Sequence, residues 1–381
     1  MTYRCHVCES QDTSVVYRSA IEKSLTSGCQ ILPVHTQIYE CASCGHVYSE
    51  DLPDAAVFYA EHYNINLYHE DEDQLYEVVD GVARYRTDHQ LAVMQRKIQF
   101  QSQQKVLDFG CAKSSMMKKM LELYPDLDCH FYDVSEAYRP YWEKMTTPDK
   151  CAVNTIPRNW LNRFDLITSF FSLEHIASVK KVISEIASLL NEGGTFYAIV
   201  PNMFNNVADF IVVDHVNHFT PKSMQRLLND AGLSLIDIDL QSHRGAMTIV
   251  AKKRNHHSVE VAVEDCSNQV AEIASFWRNI GNHIQSSERN CANPIAIYGA
   301  GFYGAFVHAH LLQPEKVVCF LDNNDFLQNR SLFNIVIKKP VDIPTEVKTV
   351  FVGLNPKIAR NVMATMPFIS EARTLIYMAE H

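Results

Sequence analysis

Two stretches of the chain follow one plan. KVLDFGCAKSSMMKKM, from Lys105 to Met120, and IAIYGAGFYGAFV, from Ile295 to Val307, each lead from an apolar strand through a tight turn into a helix. A strand that is apolar on both faces belongs inside a sheet covered on both sides, and the helix that follows it carries the chain back to a parallel neighbour. At 381 residues the chain is too long for one compact core, so two such units in one chain predict more than one α/β domain. The turns differ. The second carries a full G-x-G-x-x-G at Gly299, Gly301 and Gly304, whereas the first keeps Gly110 and sets Ala112 and Ser114 where further small residues could stand.

Alternation of strand and helix continues after the first turn. SSMMKKMLELYP predicts a helix, DCHFYDVS a strand, FDLITSFFSLEHI a strand ending in a loop, and VKKVISEIASLLNEGG an amphipathic helix stopped by Gly193 and Gly194. TFYAIVPN predicts a strand, PKSMQRLLNDAGL a helix opened by proline and closed by glycine, and SLIDIDLQSH with GAMTIVAKKR an antiparallel finish. Upstream, the acidic, tyrosine-rich DLPDAAVFYAEHYNINLYHEDEDQLYE predicts short helices and a covering loop, and GVARYRTDHQLAVMQRKIQFQSQQ a helix. Downstream, SVEVAVEDCSNQVAEIASFWRNIGNHIQ predicts a linking helix, with KVVCFLDNN and KTVFVGLN as later strands of the second α/β segment. Parallel sheets of this kind hold ligands in loops at the C-terminal ends of their strands.

Of the 11 cysteines, four are paired as Cys5-His-Val-Cys8 and Cys41-Ala-Ser-Cys44. Each C-x-x-C turn aims two sulfurs at one point, and two turns supply the four thiolates of a tetrahedral zinc site. Gly45 lets the chain curl so that backbone N–H groups face the sulfurs, and the alternating residues between the pairs predict short strands of a zinc ribbon. Four protein ligands leave no position for water, which makes the expected zinc structural. His6 and His46, next to the cysteines, are alternative ligands.

A formal net charge of −10 gives no basic surplus to neutralise phosphates, so nucleic acid is not an expected partner. MTYRCHVC has no apolar core of a leader, no uninterrupted apolar run of about 18 residues spans a membrane, and the scattered remaining cysteines suit a reducing compartment. These features together predict a cytoplasmic protein without membrane association. Monomer and homodimer remain open.

Asp133 ends the strand after the first turn, where a carboxylate can accept both hydroxyls of a ribose. With the Asp108-to-Ser114 turn and the FDLITSFFSLEHI stretch, the sequence resembles the class I S-adenosylmethionine-dependent methyltransferases. The resemblance implies that Asp108, Gly110, Ala112 and Ser114 approach the methionine part of the cofactor, that Asp133 binds its ribose, and that Ser169, Phe170 and Phe171 border the sulfonium. This cofactor has no pyrophosphate, so its turn needs fewer glycines than a dinucleotide site.

The order of zinc ribbon, methyltransferase core and second α/β segment is similar to that of the sugar C-methyltransferases that act on nucleotide-linked deoxyketosugars. DHVNHFTPKS, from Asp214 to Ser223, stands where that family has E-H-x-x-[YW]-F-[ST]-x-x-[ST], and His243-Arg-Gly-Ala246 where it has H-G-G-[ST]. The resemblance implies His215 as catalytic base with Asp214 as its carboxylate neighbour, and a nucleotide-linked sugar as small-molecule substrate. It further implies substrate contacts from Tyr63, His218, His243 and Arg244, and from Gly301 and Asp322 toward the nucleotide diphosphate. His218 and Arg244 depart from the family's aromatic residue and second glycine.

The expected architecture is therefore α/β. It comprises a zinc ribbon over 1–50, a helical cover over 51–103, a class I methyltransferase doubly wound sheet over 104–254, a linker helix over 255–290 and a smaller Rossmann-like domain over 291–381. Two functional alternatives stand beside C-methylation: O- or N-methylation of another small molecule, and a nicotinamide-dependent oxidoreductase or epimerase using Gly299–Gly304. A third is an interaction protein built on the ribbon.

Overall fold

The computed structural model describes residues 4–52, 55, 58, 73–79, 82–253, 266–291, 294–366, 369 and 373–378. They gather into two compact units: one of Met1–Val15, Ile38–Met203 and Asp214–Ser267, the other of Val16–Gln37, Phe204–Val213 and Asn268–His381. Among the described residues, no helix is long and apolar enough to cross a membrane.

The chain opens with short strands around the cysteine pairs: β1 (Thr13–Arg18), β2 (Gln37–Cys41) and β3 (Val47–Ser49). A hairpin of β4 (Leu75–Val79) and β5 (Val82–Tyr85) follows, then helix α1 (Arg86–Lys97). Helix was expected from Gly81 onward. Instead Val82–Tyr85 is extended, because its partner strand supplies hydrogen bonds that local helical spacing cannot reveal.

The alternation then proceeds through β6 (Lys105–Phe109), α2 (Ser115–Leu123), β7 (Asp128–Asp133), β8 (Cys151–Val153), β9 (Phe164–Phe170), α3 (Val179–Leu189) and β10 (Leu190–Pro201). It closes with β11 (Asn217–His218), α4 (Pro221–Asp230), β12 (Leu233–Asp239) and β13 (Ala246–Lys253). Helix α3 stops at Leu189, before the glycines expected to end it. Gly193 and Gly194 lie at the start of β10, where pairing with β9 is irregular, and Gly193 takes φ +74°. Helix α4 matches its sequence signals: Thr220 and Ser223 form a capping box, Pro221 is the first helical residue, and Gly232 follows with φ +78°.

Seven strands form one sheet in the order β8-β7-β6-β9-β10-β13-β12. The first five are parallel, and β13 enters antiparallel between β10 and β12. Strand alternation sorts the core into two layers. Leu107, Ile167, Phe196 and Val200 pack with Ile183, Ile186, Met224 and Leu228 of α3 and α4. Val106, Leu166, Tyr197 and Ile199 pack on the other face with Met94 of α1 and Met116 and Met120 of α2. Both faces are covered, as a parallel sheet requires. β11 lies outside this sheet and joins the short strands at the cysteine pairs, in the order β1-β2-β3-β11.

The second unit contains a pair of two-residue strands, Ser24–Leu25 and Ile31–Leu32, and helix α5 (Ser267–Arg289). It continues with β14 (Ile295–Tyr298), α6 (Phe302–His310), β15 (Val317–Leu321), β16 (Ser331–Leu332), β17 (Ile335–Lys338), β18 (Thr349–Val352), α7 (Pro356–Ala364) and β19 (Thr374–Tyr377). Its six-stranded sheet runs β16-β17-β15-β14-β18-β19.

The glycines of the second motif have packing duties inside this unit. A Cβ on Gly304 would fall on the Gly299 carbonyl, one on Gly299 on the Gly353 carbonyl, and one on Gly353 on Gly304 itself. Gly301 is the exception, with open space where a side chain would stand and φ −102°. Gly304→Ala should therefore lower the stability of this unit by about 1–3 kcal/mol. Gly301→Ala should stay within about 0.5 kcal/mol of the parent in the same denaturant titration. Equal effects would show that the packing contacts do not set the glycine requirement.

Candidate active site

At the C-terminal end of β6 the chain turns through three left-handed residues, Gly110 (φ +67°), Ala112 (φ +44°) and Ser114 (φ +57°). Two non-glycine residues in this region carry a conformational cost that surrounding bonds must offset. Those bonds come from β7. Gly110 N–H and Cys111 N–H both donate to the Tyr132 carbonyl (2.8 and 3.1 Å), and Ala112 N–H donates to Asp133 Oδ2 (2.8 Å). Ser135 N–H donates to Asp133 Oδ1 at 3.0 Å, and Trp142 Nε1–H to the Ala112 carbonyl at 2.6 Å. Gly110 is obligatory for a second reason, since a Cβ there would collide with the Ser172 side chain.

Asp108 sits beneath the turn with 1% exposure. Its Oδ1 accepts Thr168 Oγ1–H at 2.8 Å, and its Oδ2 accepts the Ser114 hydroxyl. Burial pushes its carboxyl up to about 7, against the pull of those two bonds. Asp133 is also raised, again mainly by burial.

The end of β9 supplies the opposite wall. Ser169 is buried, and its hydroxyl has no hydrogen-bond partner among the described residues. Phe171 takes φ +52°, and the Arg86 guanidinium lies 4.9 Å from its ring centre. An adenosyl cofactor fits this set: the Asp133 carboxylate keeps acceptor capacity beyond its backbone bonds, and the Ser169 hydroxyl is an orphaned polar group at the adjoining strand end.

Five residues beyond β9, His175 meets the segment that carries the predicted base. Its Nδ1–H donates to the Asp214 carbonyl at 2.9 Å, and Asp214 Oδ2 lies 3.7 Å from the same nitrogen. The His175 and His215 rings stand edge to face at 4.8 Å between centres. Asp214 is fully buried, and His215 is partly exposed. Glu174, buried, brings its carboxylate to within 4.8 Å of the histidine nitrogens, so the three could hold a cation. His175 and Glu174 were not among the predicted site residues. The signal for them was the LEH triplet one turn past a strand end.

Other predicted positions are more dispersed. His218 is fully buried in β11. His243, 3% exposed, stands edge to face with His89, and burial lowers its imidazole to about 4, so it is neutral near pH 7. Arg244 pairs with Glu77 at 2.6 Å and lies over the Tyr76 ring. Tyr63 lies outside the described residues. In the second unit Asp322 Oδ2 accepts Ala300 N–H (2.9 Å) and Oδ1 accepts Asn324 N–H (2.8 Å), and Gly301 caps α6.

The four paired cysteines converge with all sulfurs within 4.8 Å of one another, and Cys5–Cys44 and Cys8–Cys41 are each 3.6 Å apart. Tetrahedral coordination with Zn–S of about 2.3 Å sets sulfurs about 3.8 Å apart, so the cluster has the dimensions such an ion needs. His6 and His46, the alternative ligands, turn elsewhere: Nδ1 of His6 (3.0 Å) and Nε2 of His46 (3.1 Å) both meet Asn217 Oδ1.

Residues 82–238 match the family described as "Methyltransferase domain". The sheet order agrees with that match: residues 82–238 form a methyltransferase domain, and the chain is a methyltransferase enzyme.

Among solved structures, an S-adenosylmethionine-dependent methyltransferase from Mesorhizobium loti is 11% identical, covering 43% of this chain and 97% of its own, with a TM-score of 0.36. The YcgJ protein of Bacillus subtilis is 14% identical over 44% of this chain and 99% of its own (TM-score 0.35). Phosphoethanolamine N-methyltransferase 2 of Haemonchus contortus, solved with S-adenosyl-L-methionine, is 13% identical over 43% and 52% (TM-score 0.36). No protein of curated function matches the sequence.

The raised Asp108 has a pH consequence. A carboxyl at about 3.9 unfolded and about 7 folded binds its proton more tightly in the native state, so its contribution to stability falls as pH rises from 4 to 7. Asp108→Asn removes that titration. Its stability relative to the parent should improve across this interval, by up to the order of 4 kcal/mol. Melting curves of both proteins at pH 4.5, 6 and 7.5 check the sign, and a pH-independent difference would contradict it.

Proposed function

We propose that the enzyme transfers a methyl group from S-adenosylmethionine to a carbon beside the ketone of a nucleotide-linked deoxyketosugar, with His215 as general base. The observation that carries this reading is the partly exposed His215 ring set against His175 and the buried Asp214, at the strand ends that also hold Gly110 and Asp133. The bound cofactor supplies an electrophilic methyl group, and the chain must position the acceptor and take one proton. His215, through a ring nitrogen able to accept a proton, removes the proton from the carbon next to the ketone. The Asp214 carboxylate favours the imidazolium that results. His175, pinned through Nδ1 to the Asp214 carbonyl, limits where the His215 ring can turn.

Asp133 receives the ribose hydroxyls of the cofactor, and the turn from Gly110 to Ser114, braced by Asp108, lies against its methionine part. Ser169, Phe170 and Phe171 surround the sulfonium. Cys5, Cys8, Cys41 and Cys44 hold a structural zinc ion, and the Rossmann-like second unit, through Gly301 and Asp322, takes the nucleotide diphosphate. His218, His243 and Arg244 act through the packing of the acceptor pocket, and location in the cytoplasm belongs to the same reading.

Three measurements test it. Adenosylhomocysteine should bind the parent, and Asp133→Ala should weaken binding at least about tenfold by calorimetry, since a charged acceptor to the ribose is lost. A nucleoside-diphosphate-linked deoxyketosugar incubated in deuterium oxide should gain deuterium beside its ketone, and His215→Gln should slow this by about 10²–10⁴. Undiminished exchange in that variant, while it remains folded, would remove His215 from the role of base. Metal analysis should find one zinc per chain in the parent and a loss of zinc in Cys41→Ser, and a full zinc equivalent retained in that variant would not fit a four-cysteine site.

A further inference from the structure

Asn217 is buried at 1% exposure, and its side-chain amide has four contacts. Nδ2–H donates to the carbonyls of Leu173 (3.0 Å) and Ile176 (2.8 Å), and Oδ1 accepts from His6 Nδ1 (3.0 Å) and His46 Nε2 (3.1 Å). Two carbonyls on one side fix which end of the amide is nitrogen, and the oxygen must then face two N–H donors. The capacity of the amide is fully used. One side holds the turn Leu173–His175, which carries the histidine beside His215. The other side holds the two histidines adjoining the paired cysteines, and the backbone of Asn217 pairs with Tyr48 of β3.

From these contacts we infer that Asn217 is a positioning residue for the methyl-transfer reaction, transmitting the placement of the cysteine knuckle to the His175–His215 pair. The inference rests on reading His215 as the base. Its physical basis is separation of function along a strand. His215 lies two residues before Asn217, so a displacement of the amide moves the base by its own backbone and moves His175 through the two donated bonds. A ribbon that served only to add stability would need neither bond to the turn beyond β9. It also accounts for His6 and His46, whose placement beside the cysteines first suggested ligation: they orient Asn217 instead. Groups bound to atoms near a reacting centre are held tightly when a displacement of an ångström matters to the rate.

Asn217→Asp keeps the shape and the acceptor side and deletes both donations to the turn. In the full-length, metal-loaded chain, the amides of His175 and Ile176, which donate to Ser172 O and Leu173 O, should exchange with deuterium at least about tenfold faster. Amides of β6 and β9 should be unchanged. Deuterium wash-in to a saturating nucleoside-diphosphate-linked deoxyketosugar should fall about 10–100-fold, the range found when groups orienting a site residue are removed. Affinity for adenosylhomocysteine and zinc content should stay within twofold of the parent. Should Asn217→Asp fail to fold, Asn217→Ala carries the same measurements. The parent itself must in addition show His175 and Ile176 amides protected as well as that of His218.

Unchanged exchange at His175 and Ile176 overturns the inference, and so does faster exchange with undiminished wash-in. Parallel losses of zinc, cofactor affinity and wash-in also overturn it, because they describe general destabilisation. If the parent shows no wash-in at all, the reading of His215 fails separately, and the exchange rates alone then decide whether Asn217 holds the turn.

Discussion

The buried carboxylate of Asp108 is the constraint on which the first unit's site depends. It is the penultimate residue of a central parallel strand, where an ionised group has no solvent, and its oxygens are taken by Ser114 and Thr168. Those two bonds join the start of α2 to β9, so the turn between them has little freedom. The left-handed backbone at Ala112 and Ser114 persists because this brace and the bonds from Asp133 over-determine it. A loosely held turn with one glycine could not keep that shape.

The two strand-turn-helix motifs converge on the same lock. In each, the residue after the strand donates to the last apolar residue of the next strand, and an aspartate accepts a backbone N–H of the turn: Ala112 to Asp133, and Ala300 to Asp322. Their glycines differ in purpose. Gly110 keeps clear of Ser172, whereas Gly299, Gly304 and Gly353 press backbone on backbone within the second unit. Close packing thus accounts for Gly299 and Gly304 of the glycine-rich fingerprint but not for Gly301, and the sparse motif lies in the unit that carries the methyltransferase match.

The paired cysteines show how far local chemistry reaches. C-x-x-C spacing brings four sulfurs together whatever else the chain does, and they are found together. The histidines beside them have the same local claim to an ion. They are drawn off by Asn217, which is distant in sequence and reaches them only because β11 joins β3. In the same way, the hairpin partner of Val82–Tyr85 overrides a helical pattern, and the bulged start of β10 takes Gly193 and Gly194 from the helix expected to end there.

By itself the sequence determined whatever rests on spacing and burial pattern: the alternation that makes a parallel sheet, the antiparallel finish, the cap of α4, the convergence of the cysteines and the aspartate after the second core strand. Each of these is set by residues within one element or one turn, where period and bond geometry act directly. Only the tertiary structure decided that Asp108 is a brace, that His175 and Glu174 stand with His215, that His218 is enclosed, and that Arg244 is paired with Glu77. Those outcomes depend on contacts between segments tens to hundreds of residues apart. No local periodicity encodes such contacts, because the partner of a buried polar group is chosen by which strands become neighbours.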